Sequence, residues 1–140
     1  PNQARRERFD QMFTRYCHAH PNFFAPVAAK AAWAHGENWL NSCLSYIQKN
    51  DQFVRKFAED TWHEDVWISP LEGTYLQWID FRKLESDDEK LRRKMLYQAH
   101  VAMDEGSMFG PEGNGFERLN LAPPRNLIEE IMNRIAAALR

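Results

Sequence analysis

The segment Gly106-Ser-Met-Phe-Gly-Pro-Glu-Gly-Asn-Gly-Phe-Glu-Arg-Leu-Asn120 joins a glycine-rich loop to a run of alternating residues. Four of the protein's six glycines lie in the loop, where a backbone rich in glycine can make successive tight turns. An arginine on a strand beside such a loop suits the binding of a carboxylate or a phosphate. The alternation after the loop predicts a short strand with two faces, one holding Phe116, Arg118 and Asn120 and the other Glu117, Leu119 and Leu121.

Two further strands are predicted upstream of the loop. Val66-Trp-Ile68 and Thr74-Tyr-Leu-Gln-Trp-Ile79 are rich in residues that favour strands, and the turn Pro70-Leu-Glu-Gly73 separates them. This arrangement predicts an antiparallel pair. Residues 100–103 are a candidate for one more short strand leading into the glycine-rich loop.

Helical periodicity covers most of the remaining chain. Apolar residues recur at steps of three and four, which predicts helices over residues 5–16, 25–35, 37–61, 86–102 and from Pro123 towards the C-terminus. Ser86 and Glu89 are spaced as a capping box, and Asn50-Asp51 interrupts the apolar stripe of the longest helix, which indicates a bend or a frayed turn. The aromatic side chains of these helices are expected to pack in the core. The fold class is α+β, with a small antiparallel or mixed sheet flanked by helices and preceded by long connecting helices.

Composition excludes several classes of protein. With 140 residues the chain is long enough for one core, or for one small domain plus a piece of another. Its net charge of -2 argues against general binding of nucleic acid. No apolar run approaches the length of about 20 residues that a membrane-spanning helix needs, and no leader pattern is present. The two cysteines form no CxxC pair. We expect a soluble, cytoplasmic protein that binds neither nucleic acid nor membrane.

The familiar catalytic motifs of nucleotide-binding proteins, zinc proteases and serine hydrolases are missing from the sequence. Neighbouring acidic residues are better explained as solvated ends of helices and turns. The cluster of Cys17, His18 and His20 has some character of a metal site, but histidines near a helix end are also favoured by the helix dipole. We predict no metal site. The chain also begins at Pro1 without methionine and runs directly into a helix, which suggests a piece of a longer protein.

Several groups of residues follow one another in an informative order. They are Asn22, the run Ala28 to Leu40 with Trp33-Ala-His-Gly-Glu-Asn-Trp39, the run Gly73 to Asp80, and Gly106 to Asn120 continued by Ala122-Pro-Pro-Arg125. Together they resemble the C-terminal part of class I and II aminotransferases, which are fold type I enzymes dependent on pyridoxal 5'-phosphate (PLP). Within that group the series is most similar to the cystathionine β-lyase-like C-S lyases.

The resemblance implies roles for named residues. Arg118 matches the family arginine that binds the α-carboxylate of an amino-acid substrate, and a planar guanidinium with parallel donors suits that task. Asn120 is given a supporting role, and Tyr75 and Asn22 are weaker candidates for substrate binding. Without the resemblance, an ion pair of Arg118 with a helix end or with the surroundings of Glu117 is the simpler interpretation.

The resemblance also implies what this chain lacks. Family members hold PLP as a Schiff base on a lysine of the large domain, and no lysine here lies in the Ser-x-x-Lys context of that residue. We therefore expect residues 1–36 to connect to a missing large domain and residues 37–140 to form the C-terminal small domain. The chain alone should contain no catalytic or cofactor-binding residue, whereas the parent enzyme should be a homodimer active in amino-acid metabolism. The alternative is a non-catalytic, stand-alone interaction or ligand-binding module that kept the fold.

Overall fold

The structure, a computed structural model, describes residues 2–16 and 22–140. It divides into two compact units, Pro1–Asn41 and Ser42–Arg140. The helices are α1 (Gln3–Tyr16), α2 (Ala25–His35), α3 (Glu37–Trp62), α4 (Asp88–Arg93) and α5 (Arg125–Ala138). The strands are β1 (Trp67–Ile68), β2 (Leu76–Asp80), β3 (Asp104–Glu105) and β4 (Phe116–Asn120). No helix in the described ranges is both long and apolar enough to cross a membrane.

The second unit is built on a sheet. Within the described residues, four strands pair in the order β1-β2-β4-β3, and every pairing is antiparallel. The predicted antiparallel pairing of the first two strands and the predicted α+β class are therefore confirmed. β2 and β4 are central, with Trp78 opposite Arg118 and Ile79 opposite Glu117. Alternation along both strands places one set of side chains in the core and leaves the other set on the opposite face.

The core of the second unit lies between one face of the sheet and the helices. Helix α5 contributes apolar residues at steps of three and four, which are the spacing of one helix face. The largest fully buried apolar side chains are Phe81, Ile79, Leu91, Met95, Leu121, Ile128, Met132 and Ile135. Burying each of them stabilises the fold by roughly 1.5–3 kcal/mol before the entropy cost.

The frayed turn predicted at Asn50-Asp51 is wrong, because α3 is α-helical through both residues. The Asn50 side chain is completely buried, and its Nδ2 donates hydrogen bonds to the carbonyls of Leu121 (2.7 Å) and Pro123 (3.2 Å). These carbonyls follow β4, where they belong to no strand ladder. A polar residue within the apolar stripe thus connects α3 to the segment that follows β4.

The ends of α4 also differ from the prediction. Asp87, not Ser86, precedes the helix, and its carboxylate accepts a hydrogen bond from the backbone N–H of Lys90 at 3.0 Å. After α4 the chain widens into a π-helical turn, Lys94–Ala99, which ends at His100 in the left-handed conformation with φ 55°. Residues 100–103, the candidate for a short strand, form none; the strand β3 lies directly after them, at Asp104–Glu105.

Several aromatic residues predicted to pack in the core are exposed. No residue of α1 or α2 is buried within the described part of the chain. Trp33 is 90% exposed and Trp39 is 72% exposed, although both lie on helices with the predicted bounds. Periodicity identifies an apolar face, but it does not supply the element that covers it.

Candidate functional site

Arg118 lies at the middle of β4, on the sheet face opposite the core. The neighbouring residues Glu117 and Leu119 point into the core, so the alternation of the strand directs Arg118 away from it. Its backbone neighbours across the sheet are Trp78 of β2 and Asp104 of β3. The predicted two-faced strand is confirmed, and it holds the arginine between two other strands rather than at an edge.

The Arg118 guanidinium is fixed by an ion pair and by an aromatic ring. Its Nε and Nη2 donate to the same carboxylate oxygen, Oδ2 of Asp104, at 3.1 and 2.7 Å. Its Cζ lies 4.5 Å from the centre of the Phe109 ring, within the range of a cation–π contact. The side chain is 24% exposed. The ion-pair interpretation of Arg118 therefore holds in part, with Asp104 as a partner that sequence reasoning did not name.

Aromatic rings extend this arrangement across the sheet. Trp78 meets Phe109 edge to face at 5.3 Å and Phe116 at 6.2 Å between ring centres. Arg82 stacks over Phe116 at 4.6 Å and pairs with Asp80 at 2.6 Å. Rings and guanidinium groups packed in this way restrict one another's rotamers. The surface around Arg118 is consequently ordered by side-chain packing as well as by the strand.

The glycine-rich loop brings Phe109 to Arg118. Residues 106–109 and 111–113 form short 3₁₀ turns, and Gly110 joins them with φ 133°, a conformation that a side chain would strain. Gly115, with φ 79°, donates its N–H to the carboxylate of Asp88 at 2.9 Å. Gly106 and Gly113 approach so closely that a Cβ on Gly106 would lie 2.1 Å from the Gly113 carbonyl oxygen.

Replacing Gly106 with alanine should destabilise the fold by about 2–4 kcal/mol, because the clash is with backbone that cannot rotate away. Gly73→Ala is the matched control, since a Cβ there meets no atom within 4 Å. Urea unfolding of both variants measures the difference. Equal stability of the two variants would show that the loop is not packed as described.

The other candidate binding residues have local structural contacts. Asn120 Oδ1 accepts a hydrogen bond from the N–H of Ala122 at 2.9 Å. Tyr75 precedes β2, its side chain is 46% exposed, and its carbonyl accepts from the N–H of Leu121 at 2.8 Å. Since Leu76 lies opposite Asn120, Tyr75 and Asn120 are close to the same end of the β2–β4 pair. Their roles in substrate binding stay predictions.

Asn22 lies in the first unit. Its Oδ1 accepts hydrogen bonds from the N–H groups of Phe24 (3.1 Å) and Ala25 (2.8 Å), and so satisfies donors at the start of α2. Its predicted role in substrate binding also stays a prediction. The cluster of Cys17, His18 and His20 is outside the described residues. Within residues 2–16 and 22–140, no group of His, Cys, Asp and Glu side chains could hold a metal ion.

Glu117 is a carboxylate on the buried face of β4. The strand face was predicted from the sequence, but the burial of a charged side chain on it was not. The Glu117 side chain is 2% exposed, and its Oε2 has no hydrogen-bond partner among the described residues. Burial, and then the nearby carboxylates of Glu105, Asp88 and Asp104, raise the pKa of the Glu117 carboxyl to about 7. The signal available in the sequence was a glutamate at a position where alternation demands an apolar residue.

Comparison with known proteins identifies the family. The family model for aminotransferase class I and II matches residues 2–135. Cystathionine beta-lyase PatB of Bacillus subtilis is 31% identical over 139 residues, which are 99% of this chain and 36% of PatB. Protein MalY of Escherichia coli is 33% identical over 120 residues, which are 86% of this chain and 30% of MalY. The chain thus spans about a third of the length of these curated relatives.

Solved structures agree in fold. A PLP-bound putative aminotransferase from Clostridium difficile superposes with a TM-score of 0.89 and 36% identity, over 100% of this chain and 36% of that one. Cystalysin from Treponema denticola, solved with its PLP cofactor, gives the same TM-score and identity over 99% of this chain and 35% of its own. With the family match, they show that this chain belongs to the class I and II aminotransferases, corresponds to their C-terminal part, and resembles the cystathionine β-lyases among them.

Proposed function

We propose that this chain is the part of a PLP-dependent C-S β-lyase or aminotransferase that binds the α-carboxylate of an amino-acid substrate. In this proposal residues 37–140 form the small domain, and residues 1–36 connect it to a large domain. The observation that carries the proposal is Arg118, a guanidinium fixed on a central strand and still partly exposed. Relatives named as cystathionine β-lyases and as an aminotransferase support the reaction class.

The donors left on Arg118 suit a carboxylate. An arginine carries five N–H donors, and Asp104 takes one from Nε and one from Nη2. Among the described residues, Nη1 has no hydrogen-bond partner. The edge formed by Nη1 and Nη2 therefore offers two parallel donors, the arrangement that binds both oxygens of a carboxylate. Fixing the substrate at this point orients its reactive bonds and removes the entropy cost of positioning from the chemical step.

The lysines of this chain do not fit the covalent attachment of PLP. Lys83 donates to the Glu64 carbonyl at 2.6 Å, and Lys94 pairs with Glu85 at 2.9 Å. Lys56 and Lys90 are exposed; Lys56 pairs with Asp60 of the same helix, and Lys90 lies 4.0 Å from Asp87, which caps its helix. Lys30 and Lys49 are also exposed. PLP, when bound, supplies the electron sink for cleavage next to the amino group, and we place its attachment in the large domain of the parent enzyme.

The protein containing this chain, loaded with PLP, should release pyruvate from L-cystathionine if it is a β-lyase, or transfer the amino group to a keto acid if it is an aminotransferase. Residues 1–140 alone should do neither. Pyruvate release and keto-acid-dependent transamination are measured side by side, with and without PLP. Failure of the complete protein to bind PLP, seen as no visible cofactor absorbance, would refute the enzymatic proposal and favour a stand-alone binding module.

We further propose that the parent enzyme is a cytoplasmic homodimer and that its ligand is the amino-acid substrate. Family membership supports the homodimer and the amino-acid substrate, and the cysteine content of the chain is the basis for the cytoplasmic location. The exposed aromatic residues of the first unit, with Trp33 at 90% exposure, are a surface that further protein would cover in the complete enzyme.

A further inference from the structure

Arg118 has two edges that can bind a carboxylate, and the structure shows one of them in use. The Nε/Nη2 edge faces Asp104, and both donors converge on the same oxygen, Oδ2. Nη1 has no hydrogen-bond partner among the described residues, so the Nη1/Nη2 edge is the candidate edge for a ligand. The direction of the free edge is set by whatever holds the occupied one, because the guanidinium is planar and rigid.

We propose that Asp104 is a positioning residue that aims the free edge of Arg118 at the substrate carboxylate. This inference rests on the proposed function of Arg118. Asp104 belongs to β3, directly across the sheet from Arg118, so its carboxylate is attached to the same rigid sheet. The Phe109 ring, 4.5 Å from Cζ, fixes the plane of the guanidinium while Asp104 fixes its rotation within that plane.

The backbone before β3 and the separate partners of its two acidic residues support a specific role for Asp104 at Arg118. The π-helical turn Lys94–Ala99 and the left-handed residue His100 end the preceding helix just before this strand. Asp104 is followed by Glu105, which pairs with Arg92 at 3.4 Å. These two consecutive acidic residues therefore pair with different arginines, and Asp104 is the one acidic residue in the described ranges that forms an ion pair with Arg118.

In the competing role, the Asp104 carboxylate occupies Arg118 in place of the substrate carboxylate. A carboxylate that occupies Arg118 in the free enzyme would have to be displaced, and its removal would tighten substrate binding. The two roles predict opposite signs. The geometry favours positioning, because the contact uses the side edge of the guanidinium and leaves Nη1 without a hydrogen-bond partner among the described residues.

The test measures the dissociation constant of L-alanine and the KM and kcat for L-cystathionine in the PLP-loaded, complete protein. Asp104→Ala removes both the acceptor and the charge and should weaken L-alanine binding and raise KM about 5- to 20-fold, with kcat changed less than about twofold. Asp104→Asn keeps an acceptor oxygen and should stay within about threefold of the wild type. Glu105→Ala, the neighbour in the same strand, is the matched control and should leave L-alanine binding unchanged.

The experiment separates this inference from the proposed function. In an Arg118→Lys background, Asp104→Ala should cause no further loss, because the edge that it aims is gone. Tighter binding of L-alanine by Asp104→Ala than by the wild type would overturn the inference in favour of substitution for the substrate. Unchanged binding in Asp104→Ala, together with a large loss in Arg118→Ala, would overturn only the role of Asp104. An Arg118→Ala variant that binds L-alanine normally would overturn both.

Discussion

Replacing Arg118 with alanine in the PLP-loaded, complete protein should lower kcat/KM for an amino-acid substrate by about 100- to 1,000-fold, or about 3–4 kcal/mol. The loss is large because the Arg118 side chain is about three-quarters buried, is fixed on a central strand, and offers its donors in a fixed fork. Arg118→Lys should recover little, since an ammonium cannot donate two parallel hydrogen bonds. Steady-state kinetics with L-cystathionine measure both variants.

Two controls define this result. The visible absorbance of the bound cofactor should be unchanged in both variants, because Arg118 is proposed to contact the substrate and not PLP. Arg134→Lys alters an exposed arginine that pairs with Glu130 one turn away on α5, and it should leave kcat/KM within about twofold. A wild-type kcat/KM in Arg118→Ala would refute the proposed role of Arg118.

Replacing Glu117 with glutamine should stabilise the protein at alkaline pH. The wild-type carboxyl is buried in the core face of β4 and has a pKa raised to about 7, from an ordinary value of 4.5. Above this pKa the folded protein must hold a buried negative charge beside other carboxylates. A shift of that size corresponds to about 3 kcal/mol, so Glu117→Gln should exceed the wild type by up to about 3 kcal/mol at pH 8.

The sign of the pH dependence follows from proton binding. Below pH 4.5 the carboxyl is protonated in both the folded and the unfolded chain. Between 4.5 and about 7 only the folded state keeps the proton, so the wild type loses this stabilisation as the pH rises through that window. The advantage of Glu117→Gln should therefore grow from pH 5 to pH 8.

Urea unfolding at pH 5 and pH 8 measures the free energy of unfolding of the wild type and the variant. Glu129→Gln is the matched control, because Glu129 is exposed on α5 and should change stability little at either pH. An advantage of Glu117→Gln that is equal at the two pH values would show that the carboxyl does not titrate in this window.

Local patterns predicted the elements of this protein well. The alternation of Phe116 to Asn120 identified β4 and both of its faces, and the spacing of apolar residues identified α1, α2, α3 and α5 within two residues at their starts. Such patterns depend on neighbours along the chain. The predicted capping box failed by one residue because Asp87 and Ser86 are both good caps, and only the path of the backbone selects between them.

Features that depend on distant contacts were not predicted. Asn50 was interpreted as an interruption of the apolar stripe, with a bend or a frayed turn, whereas its side chain binds carbonyls more than 70 residues away in sequence. The exposure of Trp33 and Trp39 likewise depends on what covers a helix face, which periodicity does not describe. At the site, Arg118 was found from its motif, but Asp104 and Phe109 required the pairing of β3 with β4 and the folded loop.

The central claim is that Arg118 binds the α-carboxylate of the substrate, and a thermodynamic cycle tests it most directly. The dissociation constants of L-alanine and of ethylamine, which is the same molecule without the carboxylate, are measured by calorimetry for the complete PLP-loaded wild type and for Arg118→Ala. We predict that the mutation weakens L-alanine by at least about 30-fold and ethylamine by less than about twofold, a coupling of about 2 kcal/mol. An equal loss for both ligands would contradict the claim, because Arg118 would then act on something other than the carboxylate.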